Sequence, residues 1–64
     1  MLAKTLIEDI EYHKRVIYIH ESSNLTVYEG DYDISTIDTR ILKSEVITYQ
    51  VKIERGIMYL DIYI

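Results

Sequence analysis

The chain has 64 residues and a mass of 7.6 kDa, enough for one small domain and too little for two cores. With 48% hydrophobic and 28% charged residues, no proline and two glycines, it is excluded from the disordered class, and the absence of cysteine excludes disulfides and thiolate metal sites. A formal net charge of -4 and a pI near 4.9 argue against general nucleic-acid binding, whose footprint is basic.

Residues 2–12 place Leu2, Leu6 and Ile10 four apart, with Ala3 and Ile7 alongside and Lys4, Thr5, Glu8, Asp9 and Glu11 opposite. That spacing predicts an amphipathic helix, and its charges interrupt any signal-peptide core or membrane span. His13, Lys14 and Arg15 follow, where cations complement the negative end of a helix dipole and stop the helix. Two β-rich runs, Val16–Ile19 and Leu25–Gly30, flank a Ser/Asn cluster and predict a hairpin. In the first run both faces are apolar, Val16, Tyr18 and His20 on one side, Ile17 and Ile19 on the other.

Residues 30–36 break the pattern before a short predicted helix that ends at Leu42, with Ser35 and Asp38 as a capping box and Ile37 and Ile41 as an i, i+4 pair. From Glu45 to Glu54, Ile47, Tyr49, Val51 and Ile53 alternate with Thr48, Gln50, Lys52 and Glu54, a period-two strand. With Arg55-Gly56 as a two-residue turn, these four residues face Ile64, Ile62, Leu60 and Met58, so all eight share one side. A slip of one residue would scramble that sorting.

The fold class is therefore α+β, in the order α-β-β-α-β-β, with one four-stranded, mostly antiparallel sheet and the N-terminal helix on one face. Two short helices cannot cover both faces. The uncovered face is expected to carry Ile57, Tyr59 and Tyr63, with either Ile17, Ile19 and Tyr28 or the opposite set from the first hairpin, and to serve as a partner or dimer interface. Tyr18 and Tyr49 are expected to point inward, and Val51→Asp to unfold the domain by burying a charge.

Chemistry-bearing motifs are sparse. Gly30 and Gly56 stand alone, so no phosphate loop is indicated, and His13 and His20 match no metal-ligand spacing. Ser22, His20 and Glu21 are neighbours on a predicted hairpin and diverge. Asp31, Asp33 and Ser35 open like a calcium loop, but Thr36 stands where that loop needs Gly and Leu42 where it needs Glu. No catalytic residue, metal or cofactor is predicted.

Surface scaling gives roughly 11,000 Å² for the unfolded chain and about 4,300 Å² folded. Burial of that difference contributes about 100 kcal/mol, against about 96 kcal/mol for ordering the chain. The balance near zero points to homodimerisation as the remaining device.

The amphipathic first helix, Val16-Ile17-Tyr18, Val27-Tyr28-Glu29-Gly30, Asp33-Ile34, Glu45-Val46 and the terminal Leu60-Asp61-Ile62-Tyr63-Ile64 together resemble small accessory proteins of phages and mobile elements in low-GC Gram-positive bacteria. Ser35 stands where such proteins often carry Pro. The resemblance implies a host-takeover or anti-defence inhibitor. The expected function is steric blocking of a host protein by a cytoplasmic homodimer, without enzymatic activity. A second expectation is a sponge that holds a nucleotide-like signal between tyrosines, with Arg15, Arg40, Lys43 or Arg55 on its phosphates.

Overall fold

A computed structural model describes residues 1–10, 12–22, 24–30 and 34–64. In chain order the elements are α1 (Ala3–Asp9), β1 (Arg15–Ser22), β2 (Leu25–Gly30), a 3-10 turn at Ile34–Thr36, α2 (Thr39–Leu42), β3 (Thr48–Glu54) and β4 (Ile57–Tyr63). This is the small α+β domain that the patterning predicts. Its accessible surface, 4389 Å², agrees with the scaling for a chain of this mass.

The last hairpin has the register that sorting by polarity requires. Ile53 pairs with Met58, Val51 with Leu60 and Tyr49 with Ile62, while Glu54, Lys52, Gln50 and Thr48 pair with Ile57, Tyr59, Asp61 and Tyr63. Arg55 and Gly56 form the turn with φ of 54° and 77°, the doubly left-handed geometry that matches strand twist. Gly56 adopts it freely, whereas the Cβ of Arg55 opposes it.

The sheet order is β2-β1-β4-β3. Its outer pairs are antiparallel and its central pair, β1 with β4, is parallel. That pair sets Ile17 beside Leu60 and Ile19 beside Ile62, and all four side chains are 0% exposed. Parallel strands favour such burial, and the joint unites two hairpins that would be marginal alone.

The α1 helix has seven residues, well under the ~12 that an isolated helix needs, so tertiary contacts must hold it. Ala3, Leu6 and Ile7 are its buried residues, and Leu6 and Ile7 join a core with Ile17, Ile19, Ile37, Met58, Leu60 and Ile62. Leu2 at the N-cap offers no side-chain acceptor, and the Ala3 N–H donates instead to the Ser44 carbonyl at 2.9 Å. At the other end the Arg15 guanidinium donates to the Ile7 carbonyl at 2.7 Å and to that of Ile10. The helix therefore stops at Asp9, before the expected residue 12, because Arg15 reaches back from β1 to close its carbonyls.

The second helix is shorter than expected and its cap is Asp38, whose carboxylate accepts from the Arg40 N–H at 2.8 Å. The β-branched residues Thr36, Ile37, Thr39 and Ile41 favour a 3-10 turn followed by a single helical turn over one long helix. Gly30 has a defined role on β2: a Cβ there would meet the Tyr28 hydroxyl at 2.6 Å. Its absence lets the Tyr28 ring lie back along its own strand, where its hydroxyl is 2.9 Å from Thr36 Oγ1.

The apolar side of the last hairpin is only half covered. Met58, Leu60 and Ile62 are buried, but Ile47, Tyr49, Val51 and Ile53 are 77%, 44%, 45% and 58% exposed. The short helices pack over the other strands, and no β3 side chain enters the core. Tyr49 is thus on the core side yet exposed, and Tyr18 lies on the opposite face, because Ile17 and Ile19 occupy the inward positions of β1.

Two outcomes follow for stability. Val51→Asp should stay folded, contrary to the sequence expectation, while Leu60→Asp should abolish the cooperative thermal transition. Arg55→Asn should relieve about 1 kcal/mol of backbone strain, seen by circular dichroism as a melting temperature higher by roughly 4–8 °C. An unchanged melting temperature would show that Arg55 makes compensating contacts.

Candidate functional site

The open face of the sheet is built by the alternation of β1 and β4. Val16 pairs with Tyr59, Tyr18 with Asp61 and His20 with Tyr63, and all six are half-buried. Ile57 extends this row at the turn end. Ile57, Tyr59 and Tyr63 therefore lie on the uncovered face, where the sequence places them.

Ile17 and Ile19 do not. Both are 0% exposed in the core, and the opposite set from the first hairpin takes the open face. Periodicity could not decide this, because Val16–Ile19 is apolar on both sides. The choice falls to α1 and β4, which bring Leu6, Ile7, Leu60 and Ile62 to one side only. Tyr28, opposite Ile19, is likewise half-buried against the core and is no part of that face.

His20 ties the open face together across three strands. Its Nε2 is 2.8 Å from Asp61 Oδ1 on β4, and its Nδ1 is 3.0 Å from Thr26 Oγ1 on β2. A ring that donates from Nε2 to Asp61 and accepts at Nδ1 from the Thr26 hydroxyl satisfies all three groups. The ring also stacks on Tyr63 with centroids 4.7 Å apart and planes inclined by 25°. Hydroxyl, imidazole and carboxylate thus stand in one hydrogen-bonded row on the open face, a polar clip across three strands. The Ser22, His20 and Glu21 grouping is not assembled, since Glu21 points to the other side of β1 from His20.

The cations considered for phosphate binding are dispersed. Arg15 is committed to the carbonyls of Ile7 and Ile10, Arg55 is in the β-turn, and Arg40 lies 3.6 Å from Asp38. A shallow cleft of about 370 Å³ is lined by Arg40, Ile41 and Ile64 together with Glu21 and Asp38, and those carboxylates oppose an anionic guest. Asp31 and Asp33, the start of the calcium-like loop, lie outside the described residues. Among the described residues no His, Asp and Glu side chains gather into a group able to hold a metal, and no helix is long and apolar enough to cross a membrane.

Sequence reasoning missed a second surface, the β3 flank. Among the described residues, Ile47, Tyr49, Val51 and Ile53 belong to the small set of strongly exposed large hydrophobic side chains. On the reverse side of the strand Lys52 Nζ is 2.9 Å from Glu54 Oε2, a hydrogen bond and charge that raise the Lys52 ammonium above its ordinary pKa. The only signal available in the sequence was the small total length of helix set against four strands.

No protein-family model, curated protein or solved structure matches this chain.

A double-mutant cycle of His20→Ala and Asp61→Ala should give a coupling of about 1 kcal/mol in thermal or denaturant unfolding, the size of one partly exposed hydrogen bond. Additive single effects would remove the clip as a contributor to stability.

Proposed function

We propose that the protein acts by binding and without catalysis: a homodimer that docks its open tyrosine face on a host protein and occludes it. The observation that carries this reading is the placement of the whole helical layer on one side of the sheet, which leaves Tyr18, Tyr59 and Tyr63 with Val16 and Ile57 on an uncovered platform. Tyrosine supplies large, stiff contact area with a polar tip and is enriched where binding energy concentrates. The His20 clip holds the rings of that platform in place before any partner arrives, which lowers the ordering cost of binding. The resemblance to phage accessory proteins supports a host defence protein as the partner, met in the host cytoplasm.

A photo-crosslinking residue at Tyr59 tests this in host cells. A discrete adduct to one host protein is expected at Tyr59, lost when Tyr63→Asp is added, and absent when the same probe replaces Lys4 on the outer side of α1. Equal adducts at both positions, or none at Tyr59, would overturn the reading.

A further inference from the structure

We propose that two copies of the chain join by antiparallel pairing of their β3 strands about a two-fold axis at Gln50, which makes one continuous eight-stranded sheet from two four-stranded ones. The proposal gives a geometry to the homodimer in the preceding reading and leaves the tyrosine face free for its partner.

The first support is the edge itself. All seven residues of β3 are exposed, and β3 ends the sheet order. In a two-residue hairpin the closing pair, Glu54 and Ile57, is hydrogen-bonded, so Glu54, Lys52, Gln50 and Thr48 turn their backbone groups to β4. Tyr49, Val51 and Ile53 then turn theirs outward. An unpaired row of this kind is a template for another strand. The other edge is a poorer one: β2 has six residues, and its ladder with β1 shifts register at Ile19/His20 and again at His20/Ser22, irregularities that disrupt pairing.

Self-complementarity selects the second copy as the occupant. With the axis at Gln50, Tyr49 meets Val51 of the second copy and Thr48 meets Lys52, while Ile53 comes beside Ile47, which precedes β3 and donates its own N–H to the Tyr63 carbonyl. Tyr49, Val51 and Ile53 then gain apolar neighbours, and no like charges are opposed. An axis at Val51 sets Ile47 against Arg55, and one at Lys52 sets two ammonium groups face to face. The Lys52–Glu54 ion pair is self-neutral, so the joint adds no net charge to a chain of formal charge -4.

The four flank residues expose roughly 400 Å² between them, as large as the main patch on a typical monomer. Edge pairing sets two such patches side by side on one face of the joined sheet and covers the facing flanks of these side chains together with the paired backbones. Pairing the open faces would instead cover the polar groups of His20 and Asp61.

The chain is free of cysteine, so single-cysteine variants test the axis directly. Light scattering after gel filtration should give twice 7.6 kDa for the unaltered protein, and Val51→Lys should halve that mass while retaining its circular dichroism spectrum. Under mild oxidation Gln50→Cys should cross-link to completion, because directly opposed residues of a non-hydrogen-bonded pair have Cα atoms about 4.5 Å apart. Lys52→Cys alone should stay reduced, and mixed with Thr48→Cys it should form the heterodimer. A monomer at every concentration, a dimer that survives Val51→Lys, or a dimer in which Tyr59→Cys cross-links and Gln50→Cys does not, would overturn the proposal. None of these outcomes alters the crosslinking result at Tyr59, so failure of the β3 joint and failure of the partner-binding reading are separable.

Discussion

The parallel pairing of β1 with β4 is the constraint on which the rest of the molecule depends. It sets Ile17 against Leu60 and Ile19 against Ile62, and these side chains are wholly removed from water. Each hairpin alone would leave its apolar side wet. Joined at the centre, the two hairpins present one apolar surface on which Leu6, Ile7 and Ile37 can close. The same joint dictates that β2 and β3 become the edges, and it decides which side of the sheet the tyrosines occupy.

Both helices are conditional on that surface. With seven and four residues, neither could persist in water by propensity, and α1 is closed at its two ends by groups from outside the helix. Ser44 supplies a carbonyl to its first turn, and Arg15 supplies a guanidinium to its last. Folding of α1 is therefore coupled to formation of β1 and of the segment before β3. A helical layer of this size can roof only part of a four-stranded sheet, and the part left open is the β3 flank.

Two surfaces of different character result. The open face mixes tyrosines with a hydrogen-bonded His20, Asp61 and Thr26 trio, which suits reversible contact with a partner that has its own polar groups. The β3 flank has aliphatic side chains beside unpaired backbone, which suits permanent pairing with a like strand. The proposed self-association and the proposed recognition therefore draw on different parts of one sheet, its edge and its face.

How much of this is legible in the residues differs from element to element. The last hairpin is legible to the pairing of individual residues from Thr48 to Tyr63, because a period of two is sorted correctly by one register alone and Arg55-Gly56 marks its turn; the expected pair of Ile47 with Ile64 does not form, since Ile47 donates its N–H to the Tyr63 carbonyl and Ile64 donates to that of His20. The element order and the place of Ile57, Tyr59 and Tyr63 on the uncovered face follow from the same alternation. The facing of Val16–Ile19 was not legible, since a run that is apolar on both sides holds no preference until another layer arrives. Nor was the exposure of Tyr49 and Val51, since an inward-facing position is buried only if a helix extends over it. Alternation along the chain is a local property, so the sequence by itself determined the order of the elements, the register of the last hairpin and the sorting of side chains on its two strands. Burial is a property of what lies across the gap, so only the tertiary structure decided which face became core, where Arg15 and His20 find their partners, and which strand was left at the edge.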